Sequence, residues 1–106
     1  MRKPEGGTAP SKVFAVELAT SWDRWAKRRS EDELMEVNKR ITELVQAFGK
    51  PHEHAGLGIR RLEGNAFEFR ISRGLRVIFL FLKPLTLRLI MIGNHNDVRA
   101  WLKENL

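Results

Sequence analysis

Three arginines, Arg70, Arg73 and Arg76, punctuate the apolar stretch RISRGLRVIF at residues 70 to 79. A strand that only had to build a core would not need them. A guanidinium is planar, always charged, and offers parallel N–H donors that match a phosphate. The chemistry such a cluster suits is therefore the binding of phosphate oxygens, provided that the chain brings the arginines together.

Register decides whether they meet. Ser72, Arg73 and Gly74 suit a three-residue hairpin loop with Gly74 in the left-handed position. Arg70 then faces Arg76. A two-residue turn of Arg73 and Gly74 would instead place the two on opposite faces. The first register uses the glycine better. It also gathers Phe67, Phe69, Ile71, Leu75, Val77, Phe79 and Phe81 on one face, where helices can cover them, and leaves Glu68, Arg70 and Arg76 on the other beside Ile78 and Leu80. Like charges directly opposite each other cost roughly 0.2–1 kcal/mol, so the pair calls for a reason. Either it awaits an anion, or Glu63 and Glu68 neutralise it as a salt-bridged sheet face.

The charge distribution favours the anion. Between residues 59 and 92 seven bases (Arg60, Arg61, Arg70, Arg73, Arg76, Lys83 and Arg88) stand against two acids, Glu63 and Glu68. Between residues 12 and 58 eight bases meet eight acids. The net charge of +6 thus resides largely in the second half. Such polarity suits a polyanionic partner.

The elements that must position these residues are legible in outline. Residues 1 to 11, with two prolines and two glycines, read as a disordered tail, and 12 to 106 as a single domain. Residues 12 to 18 read as a short first strand at an edge. Thr20 or Ser21 offers a helix N-cap, Trp22, Trp25 and Ala26 share a face, and the run Lys27-Arg28-Arg29 closes that helix. Ser30 and Glu33 form a capping box. Leu34, Val37, Ile41, Leu44, Val45 and Phe48 follow at helical spacing, Gly49 stands at the end, and Pro51 forbids continuation. Residues 50 to 58 read as a loop. Strands follow near 59–62 and over 66–72, 75–82 and 86–92. Asn94 or Asn96 then caps a short helix that carries Val98, Trp101 and Leu102. The expected fold is α+β: an antiparallel sheet of about four strands packed on an N-terminal helical hairpin, in the order β-α-α-β-β-β with a short C-terminal helix.

Other residue types narrow the chemistry. The chain has no cysteine, so it has no disulfide, zinc–thiolate site or thiol nucleophile. His52 and His54 stand two apart in a loop and read as surface residues rather than metal ligands. Trp22 and Trp25 read as core rather than as base-stacking groups, and the basic run after them suits either a solvated helix end or an RNA contact. No apolar run is long enough to span a membrane. The expected location is the cytoplasm, with no metal and no cofactor.

Residues 62 to 79, LEGNAFEFRISRGLRVIF, followed by IGNHNDVRAWL at 92 to 102, resemble the RelE/ParE superfamily of type II toxin–antitoxin toxins. The shared pattern is a Leu-x-Gly start, a strand ending in Arg, a Gly turn, x-R-V-I-F, and a hydrophobic strand closing on G-N-H before a short helix. The resemblance spans 57 to 102, and the order of elements agrees with it. It implies a toxin silenced by a cognate antitoxin protein. RelE-like members cut mRNA in the ribosome, and ParE-like members poison DNA gyrase. The first branch is favoured, as a metal-independent endoribonuclease in which an RNA 2′-hydroxyl attacks the adjacent phosphate and leaves a 2′,3′-cyclic end. A relic that only binds its antitoxin is the remaining alternative.

For the nuclease branch the resemblance implies three catalytic residues. Arg76 would stabilise the phosphorane, Arg70 would hold phosphate, and His95 would shuttle protons, since free imidazole titrates near pH ~6.5. Arg60, Arg61, Arg73, Arg88 and Arg99 would bind RNA phosphates, and Glu68 or Glu53 would act as general base. The chain departs from many relatives in having no tyrosine, and Arg99 stands where they often carry one.

Overall fold

A computed structural model describes residues 15–83 and 86–106; of residues 51, 52 and 55 only the backbone is described. The expected tail and the first residues of the first strand lie outside the described residues. The elements run β1 (Ala15–Leu18), α1 (Thr20–Ala26), α2 (Glu31–Ala47), α3 (Pro51–Leu57), β2 (Arg60–Glu63), β3 (Ala66–Ser72), β4 (Leu75–Leu82), β5 (Thr86–Gly93) and α4 (His95–Asn105). The class is α+β, as expected, with two corrections. The sheet has five strands, in the order β1-β5-β4-β3-β2. Residues 51 to 57 form a helix instead of a loop. Proline cannot continue α2, but its fixed φ and missing N–H suit the first turn of a new helix.

Local chemistry explains most boundaries. α2 begins at the capping box: the Ser30 hydroxyl accepts from the Glu33 N–H at 3.1 Å, and the Glu33 carboxylate accepts from the Ser30 N–H at 3.1 Å. These bonds, backbone first, hold the Glu33 carboxyl below its ordinary value of 4.5. α1 differs from expectation. Its N-cap is Ala19, without a side-chain cap. The Ser21 hydroxyl instead donates to the Ile90 carbonyl at 2.9 Å, and the Ala19 N–H to that of Leu89 at 2.9 Å. Tertiary bonds to β5 replace the local cap. β1 pairs with β5 in parallel and is an edge strand.

The hairpin of β3 and β4 reaches the expected pairing by another route. Arg70 does face Arg76, but Ser72 faces Leu75, and the register shifts between Arg70 and Ser72. The connection is the two-residue turn Arg73-Gly74, and Gly74 is not left-handed. A bulge at Ile71 supplies the one-residue offset that restores the register.

One face of the sheet carries the main core. Phe69, Ile71, Val77, Phe79, Leu87, Leu89 and Ile92 pack against Trp22 of α1 and against Val37, Leu44 and Ala47 of α2. Phe48 stands among Phe67, Phe79 and Phe81, with ring centroids 5.1–5.6 Å away. Each such buried side chain contributes about 1.5–3 kcal/mol. The other face is covered only in part. α4 packs across β4 and β5 there, where Ile78 and Val98 are buried apart from the main core. Beyond the start of α4 the sheet face is open.

Candidate functional site

The open part of that face is a cleft of about 470 Å³ walled by Gly58, Ile59, Arg60, Glu68, Arg70, Arg76 and His95. Strand alternation puts Glu68 and Arg70 on one side of β3. Register adds Arg60 of β2 opposite Glu68, and Arg76 of β4 opposite Arg70. On its other side Arg76 pairs with Gly93, which has no side chain to fill the space.

Glu68 organises the cleft. It is 3% exposed, and its two oxygens accept from Arg60 Nη2 at 2.6 Å and Arg76 Nη1 at 3.3 Å. A buried carboxylate without such partners would cost several kcal/mol. Two cations thus share one anion, and Arg70 has no ion pair among the described residues. The salt-bridged reading of this face is therefore half realised: Glu68 holds Arg76 and Arg60 but leaves Arg70 unneutralised. Arg76 is 26% exposed and Arg60 67%, so Arg60 is the arm freer to swing away. Among the described residues the buried Nε of Arg76 finds no hydrogen-bond partner. A buried donor left unpaired is uncommon and needs an explanation.

Two features fix Arg70. Gly58 follows α3 with φ +74°, and a Cβ there would lie 2.8 Å from the Arg70 Cβ. Only glycine satisfies both the dihedral and the close approach. Arg40 of α2 donates through Nη2 to the carbonyls of Arg70 at 2.8 Å and Leu57 at 3.2 Å, pairs with Glu43, and lies 5.2 Å above the Phe69 ring. It links α2, the end of α3 and β3. The sequence reading missed it as part of the helix charge balance. The available signal was its phase, three residues after Val37 and four before Leu44, inside the buried stripe.

His95 enters the cleft as the first residue of α4. Asn94 and Asp97 form a reciprocal cap: the Asn94 side chain accepts from the Asp97 N–H at 2.8 Å, and Asp97 accepts from the Asn94 N–H at 2.9 Å. A Cβ on Gly93 would come within 2.6 Å of that carboxylate. The Gly-Asn-His run is thus one corner: glycine admits the aspartate, asparagine caps, and histidine is delivered exposed to the cleft.

The remaining expected residues divide. Arg73 borders an adjoining hollow of about 330 Å³ with Arg70, Ser72 and Arg76. Arg61, Arg88 and Arg99 are not among the walls of the cleft. Arg61 donates to the Gly64 carbonyl at 2.9 Å and braces the turn between β2 and β3. Arg88 and Arg99 are exposed on β5 and α4. Glu53 lies elsewhere, in a groove of about 530 Å³ between α2 and α3 with Thr42, Glu43, Gln46 and Leu57. That groove is larger, but its walls carry no cation. Among the described residues the arginine cleft gathers three cations and an imidazole. It is equipped to bind a phosphodiester, offset its charge and move a proton.

No protein-family model matches the sequence, and no curated protein does. The fold has clear counterparts among solved structures. A chain of the archaeal RelE–RelB complex from Pyrococcus horikoshii OT3 aligns with 77% of this chain and 94% of its own length, at 13% identity and a TM-score of 0.62. A chain of the E. coli DinJ–YafQ toxin–antitoxin complex aligns over 82% and 97%, at 15% identity and a TM-score of 0.60. The YoeB/ParE toxin from Agrobacterium tumefaciens aligns over 77% and 99%, at 22% identity and a TM-score of 0.56. The chain therefore has the RelE/ParE toxin fold. Among the described residues no helix is long and apolar enough to cross a membrane.

Proposed function

We propose that this chain, built on the RelE/ParE fold, is the toxin of a toxin–antitoxin pair and cuts mRNA on the ribosome. The carrying observation is Arg76, which is clamped beside a second, unneutralised arginine and faces a cleft that also receives His95. An incoming phosphodiester supplies the anion that Arg70 lacks. As the 2′-oxygen attacks phosphorus, the bond to the 5′-oxygen breaks and a 2′,3′-cyclic phosphate remains. Charge builds on the equatorial oxygens, where Arg76 and Arg70 are already oriented. His95 carries the proton. Glu68 does not serve well as base, because both of its oxygens already accept guanidinium donors. Its work is to position Arg76.

The test is to add the purified chain to a cell-free translation reaction and map mRNA ends by primer extension, with and without ribosomes. New ends that need ribosomes and fall about 10²–10³-fold in Arg76→Ala support the reading. A parallel loss in His95→Ala assigns the proton. Intact mRNA with unimpaired translation overturns it and directs the search to DNA gyrase. A second reading, an antitoxin-binding relic, draws on the same ion pair, since Glu68 occupies part of Arg76. Glu68→Gln separates the two: a nuclease changes its rate, whereas a relic stays silent.

A further inference from the structure

A second basic surface lies beside the cleft. Gly74 and Leu75, the neighbours of Arg73 and Arg76, line a hollow of about 280 Å³ with Ile92, Gly93, Asn94, Trp25 and Arg29. Gly93 is the register partner of Arg76, while Leu75 and Ile92 belong to the helix-covered face, so this hollow lies at the end of the sheet, where the two faces meet. Trp25 and Arg29 also border a further groove with Ser21, Arg24 and Arg28. The hollow meets the cleft through chain neighbours, Asn94 beside His95 and Leu75 beside Arg76, and it shares Trp25 and Arg29 with the groove at the end of α1.

The chemistry there differs from that of the cleft. The Arg29 guanidinium lies over the half-buried Trp25 ring, 4.7 Å from its centroid, and Arg29 is 37% exposed. One face of the cation rests on the indole, and its outer face is presented to solvent. Bases stack on aromatic rings and on guanidinium planes alike. Arg24, Lys27 and Arg28 are exposed around it. Of the nearby carboxylates, Asp97, which also lines the hollow, caps α4, Glu33 belongs to the α2 capping box with Arg29 at 3.9 Å, and Asp23 is exposed beside Arg24.

Resting on the RNA reading above, we infer that the Trp25–Arg29 stack is a subsite for a single-stranded nucleotide flanking the scissile phosphate. The base stacks on Arg29, and Arg24 and Arg28 hold the phosphates beside it. The platform is sequence-tolerant, since every base has a π-face.

Fluorescence anisotropy tests this with labelled, 2′-O-methylated and hence uncleavable single-stranded RNAs of about 3 and about 10 nucleotides. The proteins are wild type, Arg29→Ala, the double variant Arg24→Ala/Arg28→Ala, and Arg76→Ala, each checked by circular dichroism. Arg24, Arg28 and Arg29 are exposed, so folding is expected to survive. The long RNA is expected to bind wild type about tenfold tighter than the short one. Arg29→Ala and the double variant remove that gain and leave short-RNA affinity intact. The double variant also lowers the salt slope, by about 0.7 for each phosphate that is no longer neutralised. Arg76→Ala weakens both lengths. If Arg29→Ala and the double variant keep the wild-type gain, the subsite is overturned, as it would be were the platform built for a protein partner. If Arg76→Ala changes neither length while Arg29→Ala still removes the gain, the cleft reading fails and the platform stands. Absence of binding at both lengths overturns the subsite, and the ribosome assay above decides the nuclease reading separately.

Discussion

Glu68 holds Arg76 at 3.3 Å from a position only 3% exposed, and Arg70 stands opposite Arg76 in the ladder without a carboxylate of its own. One buried anion thereby orients a cation pair that it only partly neutralises. Glu68→Gln keeps the shape but removes the charge beneath two guanidinium groups. We expect a loss of about 2–4 kcal/mol of stability in urea unfolding, reduced from the full buried-pair figure because Arg60 is exposed. A change within experimental error would mean that the arginines reach other partners.

Arg40 spans three elements through two carbonyls, which a lysine ammonium cannot reproduce in the same fork geometry. Arg40→Lys is expected to cost about 1.5–3 kcal/mol. Hydrogen exchange should rise selectively around Gly58 and Arg70. Uniform acceleration across the sheet would instead indicate a general loss of packing.

The two glycines near the end of α3 should respond in opposite directions. Gly58 is left-handed and would drive a Cβ into that of Arg70, whereas a Cβ on Gly56 meets nothing within 4 Å. Gly58→Ala is expected to destabilise by about 1–3 kcal/mol and to impair the cleft. Gly56→Ala, inside the helix, is expected to stabilise by up to about 1 kcal/mol. Equal thermal shifts for both would contradict the assigned geometry.

Glu33 gives a pH signature. Its carboxyl is held below 4.5 by the capping-box bonds to Ser30, so the folded state prefers the ionised form. The resulting stability is present above the unfolded value and disappears as pH falls through the lowered folded value. The stability gap between wild type and Glu33→Gln should be open at neutral pH and close as pH falls below 4.5 and through the lowered folded value. Urea midpoints measured across that range check it, and a gap that widens on acidification would contradict the cap.

Much of the frame was legible in the sequence because its causes are local. The Ser30–Glu33 box and the apolar stripe of α2 act within one helix, and alternation along β3 and β4 assigned Phe69, Val77 and Phe79 to the core and Arg70 and Arg76 to the other face. Pro51 stops α2 as expected, but the loop expected over 50 to 58 is a helix over Pro51–Leu57: the same ring that ends one helix starts the next, and only the backbone path after Gly49 distinguishes the two. The facing of Arg70 and Arg76 was expected, but its cause was not. The offset comes from a bulge at Ile71, whose side chain is buried in the core, and not from a left-handed Gly74. The cleft itself belongs to the tertiary structure. Arg60, Glu68 and Arg76 come from three strands, His95 from a helix corner and Arg40 from a helix on the far face of the sheet. Sequence supplied their types and their faces. Which carboxylate would hold which arginine depended on register and on burial, and these exist only once the strands have paired and the helices have closed over them.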